Sequence, residues 1–140
     1  GTARDGARLK SQFLYNMPSL SNLIAKVQKI ATGGDIRGLD GRRIFVRHQH
    51  AALNTLLQGA GAIVCKQWSI CMDKYIKQNK LDAHLVNTIH DELQYEVHVR
   101  DVDAILLGAD KMMQKAGKDL DVRLTLNADS KVGETWASTH

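Results

Sequence analysis

Cysteine is nearly absent from the 140 residues, with only Cys65 and Cys71 present. They fall in a segment that reads as helix, where roughly 100° per residue turns the two side chains to different faces. That excludes an easy local disulfide and matches no zinc spacing, so both are read as reduced, structural thiols in a cytosolic setting. Long apolar runs are missing too. None approaches the roughly 20 residues that a bilayer-spanning helix needs, so no membrane partner is expected. No signal peptide is visible at the start, and no repeat, low-complexity segment or long linker divides the chain. The histidines His48, His50, His90 and His98 form no recognisable ligand set. The chain opens Gly1-Thr2-Ala3 without an initiator methionine, which leaves open processing, a tag or excision from something longer.

What is present is ordinary for a globular protein. Hydrophobic residues make up 44% and charged residues 24%, enough for a modest core and too apolar for disorder. The net charge of +4 permits a polyanionic partner without requiring one.

Read along the chain, Leu9, Phe13 and Leu14 space a short helical face. Pro18 starts a second helix, where its missing N–H costs nothing, and Leu20, Leu23, Ile24, Val27 and Ile30 form its apolar stripe up to Gly33-Gly34. A hairpin follows, Ile36–Leu39 and Arg42–Val46 flanking Asp40-Gly41, a pair suited to a type I′ turn. A long helix is expected from His50 or Ala51 to Lys77, with Leu53, Leu56, Leu57, Ala60, Val64, Trp68, Cys71, Met72 and Tyr75 facing a core. His50, Asn54 and Gln58 recur every four residues and so share one edge of that helix. Such a row is either a hydrogen-bonding surface or the solvated side of any soluble helix. Gly59 and Gly61 fit best where something approaches the helix closely. Later, Val102, Ile105, Leu106, Ala109, Met112, Met113 and Ala116 mark another amphipathic helix, with Asp101 as its N-cap and Gly117 as its terminator. Val122, Leu124 and Leu126 alternate as a last strand. The order helix, helix, hairpin, long helix, hairpin, helix, strand implies an α+β fold with a small antiparallel sheet backed by helices.

The most informative stretch lies between those last two helices, at Ile89-His90-Asp91-Glu92-Leu93. Val86–Ile89 can form a short buried strand, and Leu93, Tyr95, Val97 and Val99 alternate with polar residues. As one unbroken strand the segment would bury Asp91 unpaired, so the chain is expected to turn at His90-Asp91. Asp91 and Glu92 then stand exposed on a rigid support, as a hard cation requires, or simply decorate a polar hairpin tip.

Four pieces together are similar to the C-terminal end of family A DNA polymerases, the class of bacterial DNA polymerase I, and most of all to the replicative enzymes of short-tailed phages. They are Gly38-Leu39-Asp40-Gly41-Arg42-Arg43, then His50-Ala51-Ala52-Leu53-Asn54-Thr55-Leu56-Leu57-Gln58-Gly59, then Ile89-His90-Asp91-Glu92, and finally Trp136 with His140. The resemblance implies a partial polymerase palm, with residues 1–33 as helices at the end of the fingers region and residues 34–140 as the C-terminal part of the palm. It implies that Asp91 and Glu92 are catalytic and bind Mg²⁺, in a two-metal site completed by an aspartate outside this chain. His50, Asn54, Gln58 and His90 would line the minor groove of primer–template DNA, where donors meet acceptors that every base pair presents. Arg42, Arg43 and Arg47 would contact backbone phosphates. His50 departs from the arginine that bacterial members carry at the matching position.

No segment matches the family's other catalytic aspartate, nor the fingers helix that holds the incoming deoxynucleoside triphosphate. The resemblance therefore implies a DNA-directed DNA polymerase that depends on the remainder of the polymerase, with the isolated chain inactive. The setting implied is the cytoplasm of a phage-infected bacterium. Two other readings stand beside it, a trans-acting subunit of a split polymerase and a non-catalytic, nucleic-acid-binding palm remnant.

Overall fold

The computed structural model describes residues 1–139, so His140, one of the residues carrying the resemblance, lies outside the described residues. The chain forms two compact units, one from Gly1 to Ala60 and one from Gly61 onward.

In the first unit, helix α1 spans Ala3–Asn16 and α2 spans Pro18–Ile30. Thr2 starts α1 with a capping box that the pattern reading did not include. Its hydroxyl accepts the Asp5 N–H, and the Asp5 carboxylate accepts the Thr2 N–H at 2.9 Å. No residue of α1 is buried, and Leu9 and Phe13 stay exposed. Pro18 occupies the first turn of α2 as expected, but only Val27 of its stripe is buried. A 3₁₀ turn, Ala31–Gly33, follows, and Gly34 at φ 85° releases the chain.

Strands β1 (Asp35–Arg37) and β2 (Arg43–Phe45) pair antiparallel with Ile36 opposite Ile44. Their turn is not type I′. That geometry needs positive φ at two consecutive residues, and here only Gly41 has it, at φ 82°. Gly38 instead bonds Arg42 O through its N–H, and the Gly41 N–H returns to Gly38 O, a three-residue loop closed by a left-handed glycine. Val27, Ala31, Ile36, Val46 and Ala52 form the buried core of this unit, with Ile44 and Leu56 packed against it.

Helix α3 runs Ala52–Asn79, preceded by a 3₁₀ turn at Gln49–Ala51. Gly59 is where close approach occurs, since a Cβ there would sit 2.8 Å from Ile44 Cδ1. Gly61 faces open space instead. Leu57, expected in the core, is exposed.

The second unit packs the rest of α3 against α4 (Val102–Asp119) and a hairpin of β3 (Ala83–Ile89) with β4 (Glu92–Val97). The sheet is thus two separate two-stranded ribbons. Trp68, Cys71, Met72, Ala83, Ile105, Ala109, Met113 and Ala116 make the core, and Leu93, Tyr95 and Val97 close it from β4. Met72 is fully enclosed, worth about 1.5–3 kcal/mol of transfer free energy. Polar contacts also fix the helix pair, among them one from Gln67 Nε2 to the Asp119 carboxylate at 3.1 Å. The Trp68 indole donates to Ala109 O at 2.9 Å and the Tyr75 hydroxyl donates to Ala104 O at 3.1 Å. Cys65 and Cys71 are both buried and free, as their spacing required.

Several expectations fail. Strand β4 stops at Val97, and Val99 lies exposed in a 3₁₀ turn, Val99–Asp101. Asp101 occupies the N-cap position of α4 as expected, but its side chain makes no cap bond, because its carboxylate accepts the Asp82 N–H at 2.9 Å. Gly117 does not terminate α4. It is buried inside the helix against Leu126, and the chain leaves through Asp121 at φ 53°. Residues 122–129 form no strand. Two of their N–H groups turn to α4, Val122 bonding Gly117 O and Ala128 bonding the Asp110 carboxylate. The apolar alternation there reflects Leu126 seated against Gly117 with Leu124 outward.

Candidate functional site

The β3–β4 hairpin turns at His90-Asp91, with Ile89 opposite Glu92. A two-residue turn between twisted strands asks for a positive φ, which His90 supplies at 52° without being glycine. Paired residues share a face. Leu93, Tyr95 and Val97 therefore point to the core while Glu92, Gln94 and Glu96 take the opposite side. A register shift between Leu85 and Asn87 makes Val86 a bulge, which leaves Val86 exposed instead of buried.

At the tip Asp91 is exposed, and among the described residues no cation pairs with it and no hydrogen bond reaches its carboxylate. Glu92 is half-buried and accepts from Gln94 Nε2 at 2.7 Å, which orients it. Asp91 also rims a shallow cavity of about 290 Å³ whose apolar wall includes Val64, Cys65, Trp68, Met113 and Leu126. Burial there pushes the Cys65 thiol upward, and the nearby Asp91 charge adds to the effect. Asn127 and Asp129 complete the rim, a neighbourhood invisible in the sequence because contacts to α4, among them Asp110–Ala128 and Gln114–Asn127, bring that segment in.

Carboxylate oxygens are the donors that Mg²⁺ prefers, so an unpaired Asp91 beside an oriented Glu92 suits that ion chemically. Two carboxylates do not make a closed site. Among the described residues no group of three or more His, Cys, Asp or Glu is arranged to hold a metal.

In the first unit, Asn54 and Gln58 are exposed one turn apart on α3. His50 is exposed as well but belongs to the 3₁₀ turn, where three residues complete a turn, so the expected four-residue row is regular only from Asn54 onward. Its imidazole stacks on His48, with ring centroids 5.4 Å apart and planes 9° from parallel. The three arginines differ in commitment. Arg42 pairs with Asp40 at 2.6 Å, an interaction that lowers the Asp40 carboxyl and raises the guanidinium. Arg43 is bonded to Asp35 through Nε at 2.6 Å. Arg47 is exposed and has no ion pair among the described residues.

The family model for DNA polymerase family A matches residues 5–138, and the chain belongs to that family. It is 34% identical over 147 residues to the DNA-directed DNA polymerase of Escherichia phage Phieco32, covering 100% of this chain and 24% of that protein. It is 31% identical to the DNA-directed DNA polymerase of Escherichia phage T7, covering 96% of this chain and 22% of that one. A solved structure, the POL domain of Pol1 from M. smegmatis in complex with DNA primer-template and dNTP, superposes with a TM-score of 0.75 at 22% identity. That match covers 82% of this chain and 23% of the other, and shows the shared fold. The chain thus spans about a quarter of the length of the relatives it matches. No helix among the described residues is long and apolar enough to cross a membrane.

Proposed function

We propose that this chain supplies the C-terminal palm portion of a DNA-directed DNA polymerase, acting with the remainder of the polymerase on primer–template DNA and deoxynucleoside triphosphates. Residues 1–33 are the helices that end the fingers region, and residues 34–140 are palm. The observation that carries the reading is Asp91, exposed and unpaired at the tip of a hairpin anchored to a packed core.

Asp91 and Glu92 would hold Mg²⁺, Asp91 as the open ligand and Glu92 oriented by Gln94. When bound, that ion supplies charge stabilisation to the attacking primer 3′-oxygen and the departing pyrophosphate. A further aspartate from outside these 140 residues would complete the site, because the two carboxylates here leave it open. Asn54 and Gln58, with His50 and His90, would donate to minor-groove acceptors that are similarly placed in every base pair, checking pair geometry without reading sequence. Arg47 is the first candidate for a phosphate contact, since Arg42 and Arg43 would have to leave Asp40 and Asp35.

The test is nucleotide addition by the polymerase containing this chain. With Asp91→Ala, turnover should fall by about 10²- to 10³-fold, the scale of lost charge stabilisation, with primer–template affinity nearly unchanged. With Gln58→Ala or Asn54→Ala, affinity for the duplex and discrimination against mismatched ends should fall instead. Near-normal turnover in Asp91→Ala would remove the metal role, and wild-type extension of matched and mismatched ends by both helix variants would remove the groove role.

A further inference from the structure

We propose that His48 is a positioning residue for His50, holding its imidazole at the angle needed to meet the primer–template duplex. This rests on the groove reading given above and adds a residue to it. Asn54 and Gln58 stand on α3, whose backbone fixes their direction. His50 has no such support. It lies in the three-residue 3₁₀ turn Gln49–Ala51, a short winding whose hydrogen-bond geometry is poorer than that of an α-helix, and is exposed.

His48 sits at the N-cap position of that turn, where a side chain ordinarily accepts a backbone N–H, yet it makes no side-chain cap. Its carbonyl takes the Ala51 N–H at 2.9 Å, leaving the imidazole free to lie against His50. The rings are 9° from parallel with centroids 5.4 Å apart, an offset stack. One face of His50 is thereby covered, and its two ring nitrogens, which lie in the ring plane, remain without a partner among the described residues. A donor for a groove acceptor is thus held in a single plane at little cost in freedom. The function of the stack is geometric, so any flat ring at position 48 should serve.

The experiment uses the full chain and a labelled hairpin primer–template duplex as probe. Duplex affinity is measured for wild type, His48→Ala, His48→Phe, His50→Ala and the double alanine variant, and the His50 ring-proton chemical shifts are recorded in the free protein. Loss of one exposed ring stack is worth roughly two- to five-fold in affinity. His48→Ala should weaken binding by that factor and move the His50 ring resonances. His48→Phe should restore affinity, and the double variant should bind no worse than His50→Ala alone. Full binding by His48→Ala, or additive losses in the double variant, would overturn the positioning role while leaving the groove contact standing. Unchanged binding by His50→Ala would overturn the groove contact itself, and the proposal with it. Unmoved His50 resonances in His48→Ala would overturn the stack whatever the duplex data say.

Discussion

Replacing Gly108 with alanine sets two ordinary effects against each other, and the packing of the second unit decides between them. In an open helix the change gains about 0.8–1 kcal/mol from propensity alone. Gly108, however, is buried in α4 beneath the Tyr75 ring. A Cβ there would lie 2.8 Å from both Cδ1 and Cζ of that ring, with Cε1 nearer still. The ring cannot swing away freely, because its hydroxyl is bonded to Ala104 O at 3.1 Å. Overpacking of this kind costs about 1–3 kcal/mol, and losing the hydroxyl bond adds about 1 kcal/mol. The net expectation is a destabilisation of about 1–3 kcal/mol, read as a urea midpoint lowered by roughly 0.5–1.5 M at unchanged slope. Gly61→Ala is the internal control, since its position on α3 meets open space and should gain stability. Truncating Tyr75 to leucine in the Gly108→Ala background should recover part of the loss, giving a coupling of at least about 1 kcal/mol. If Gly108→Ala stabilises the chain as much as Gly61→Ala does, the α3–α4 contact described here is wrong.

Two further outcomes follow from single contacts. Asp110→Ala removes the acceptor of the Ala128 N–H and of Gln114, so the Ala128 amide should exchange at least about tenfold faster and the unit lose about 1–2 kcal/mol. Slow exchange in that variant would mean the segment is held by its other contacts, such as Leu126 against Gly117 and Asn127 with Gln114. Tyr95 is pushed up to about 12, first by burial and then by the Asp73 charge. The folded state thus keeps its proton after the unfolded chain has lost it. The resulting stability is fully present below the unfolded value near 10 and is lost as pH rises toward 12. Alkaline unfolding scans of wild type and Tyr95→Phe should diverge in that window, the phenylalanine variant falling less steeply. Parallel curves would contradict the burial of the phenol.

How far the sequence alone reached depended on whether a signal was local. The turn at His90-Asp91 was legible because an unpaired carboxylate in a buried strand face is expensive, and the α+β class followed from the periods of the apolar residues. Pro18 at a helix start and the two separated thiols were legible for the same reason. What failed turned on partners far along the chain. Asp101 looked like a cap until Asp82 claimed its carboxylate, and Gly117 looked like a helix end until Leu126 needed the space. The alternation at Val122, Leu124 and Leu126 resembles a strand, but the Val122 and Ala128 N–H groups are bound to α4. In the candidate site, the residues around Asp91 were readable only as types. The cavity beside it and the ion pairs that occupy Arg42 and Arg43 depend on the fold.

The most direct test of the central claim is a metal-specificity switch at Asp91. A carboxylate oxygen suits Mg²⁺, whereas a thiolate disfavours it and accepts softer ions such as Mn²⁺ or Cd²⁺. In the polymerase containing this chain, Asp91→Cys should lose nucleotide addition in Mg²⁺ and regain a measurable part of it when Mn²⁺ or Cd²⁺ is supplied, while Glu96→Cys, farther along β4, stays active in Mg²⁺. Wild-type turnover by Asp91→Cys in Mg²⁺ would contradict the account.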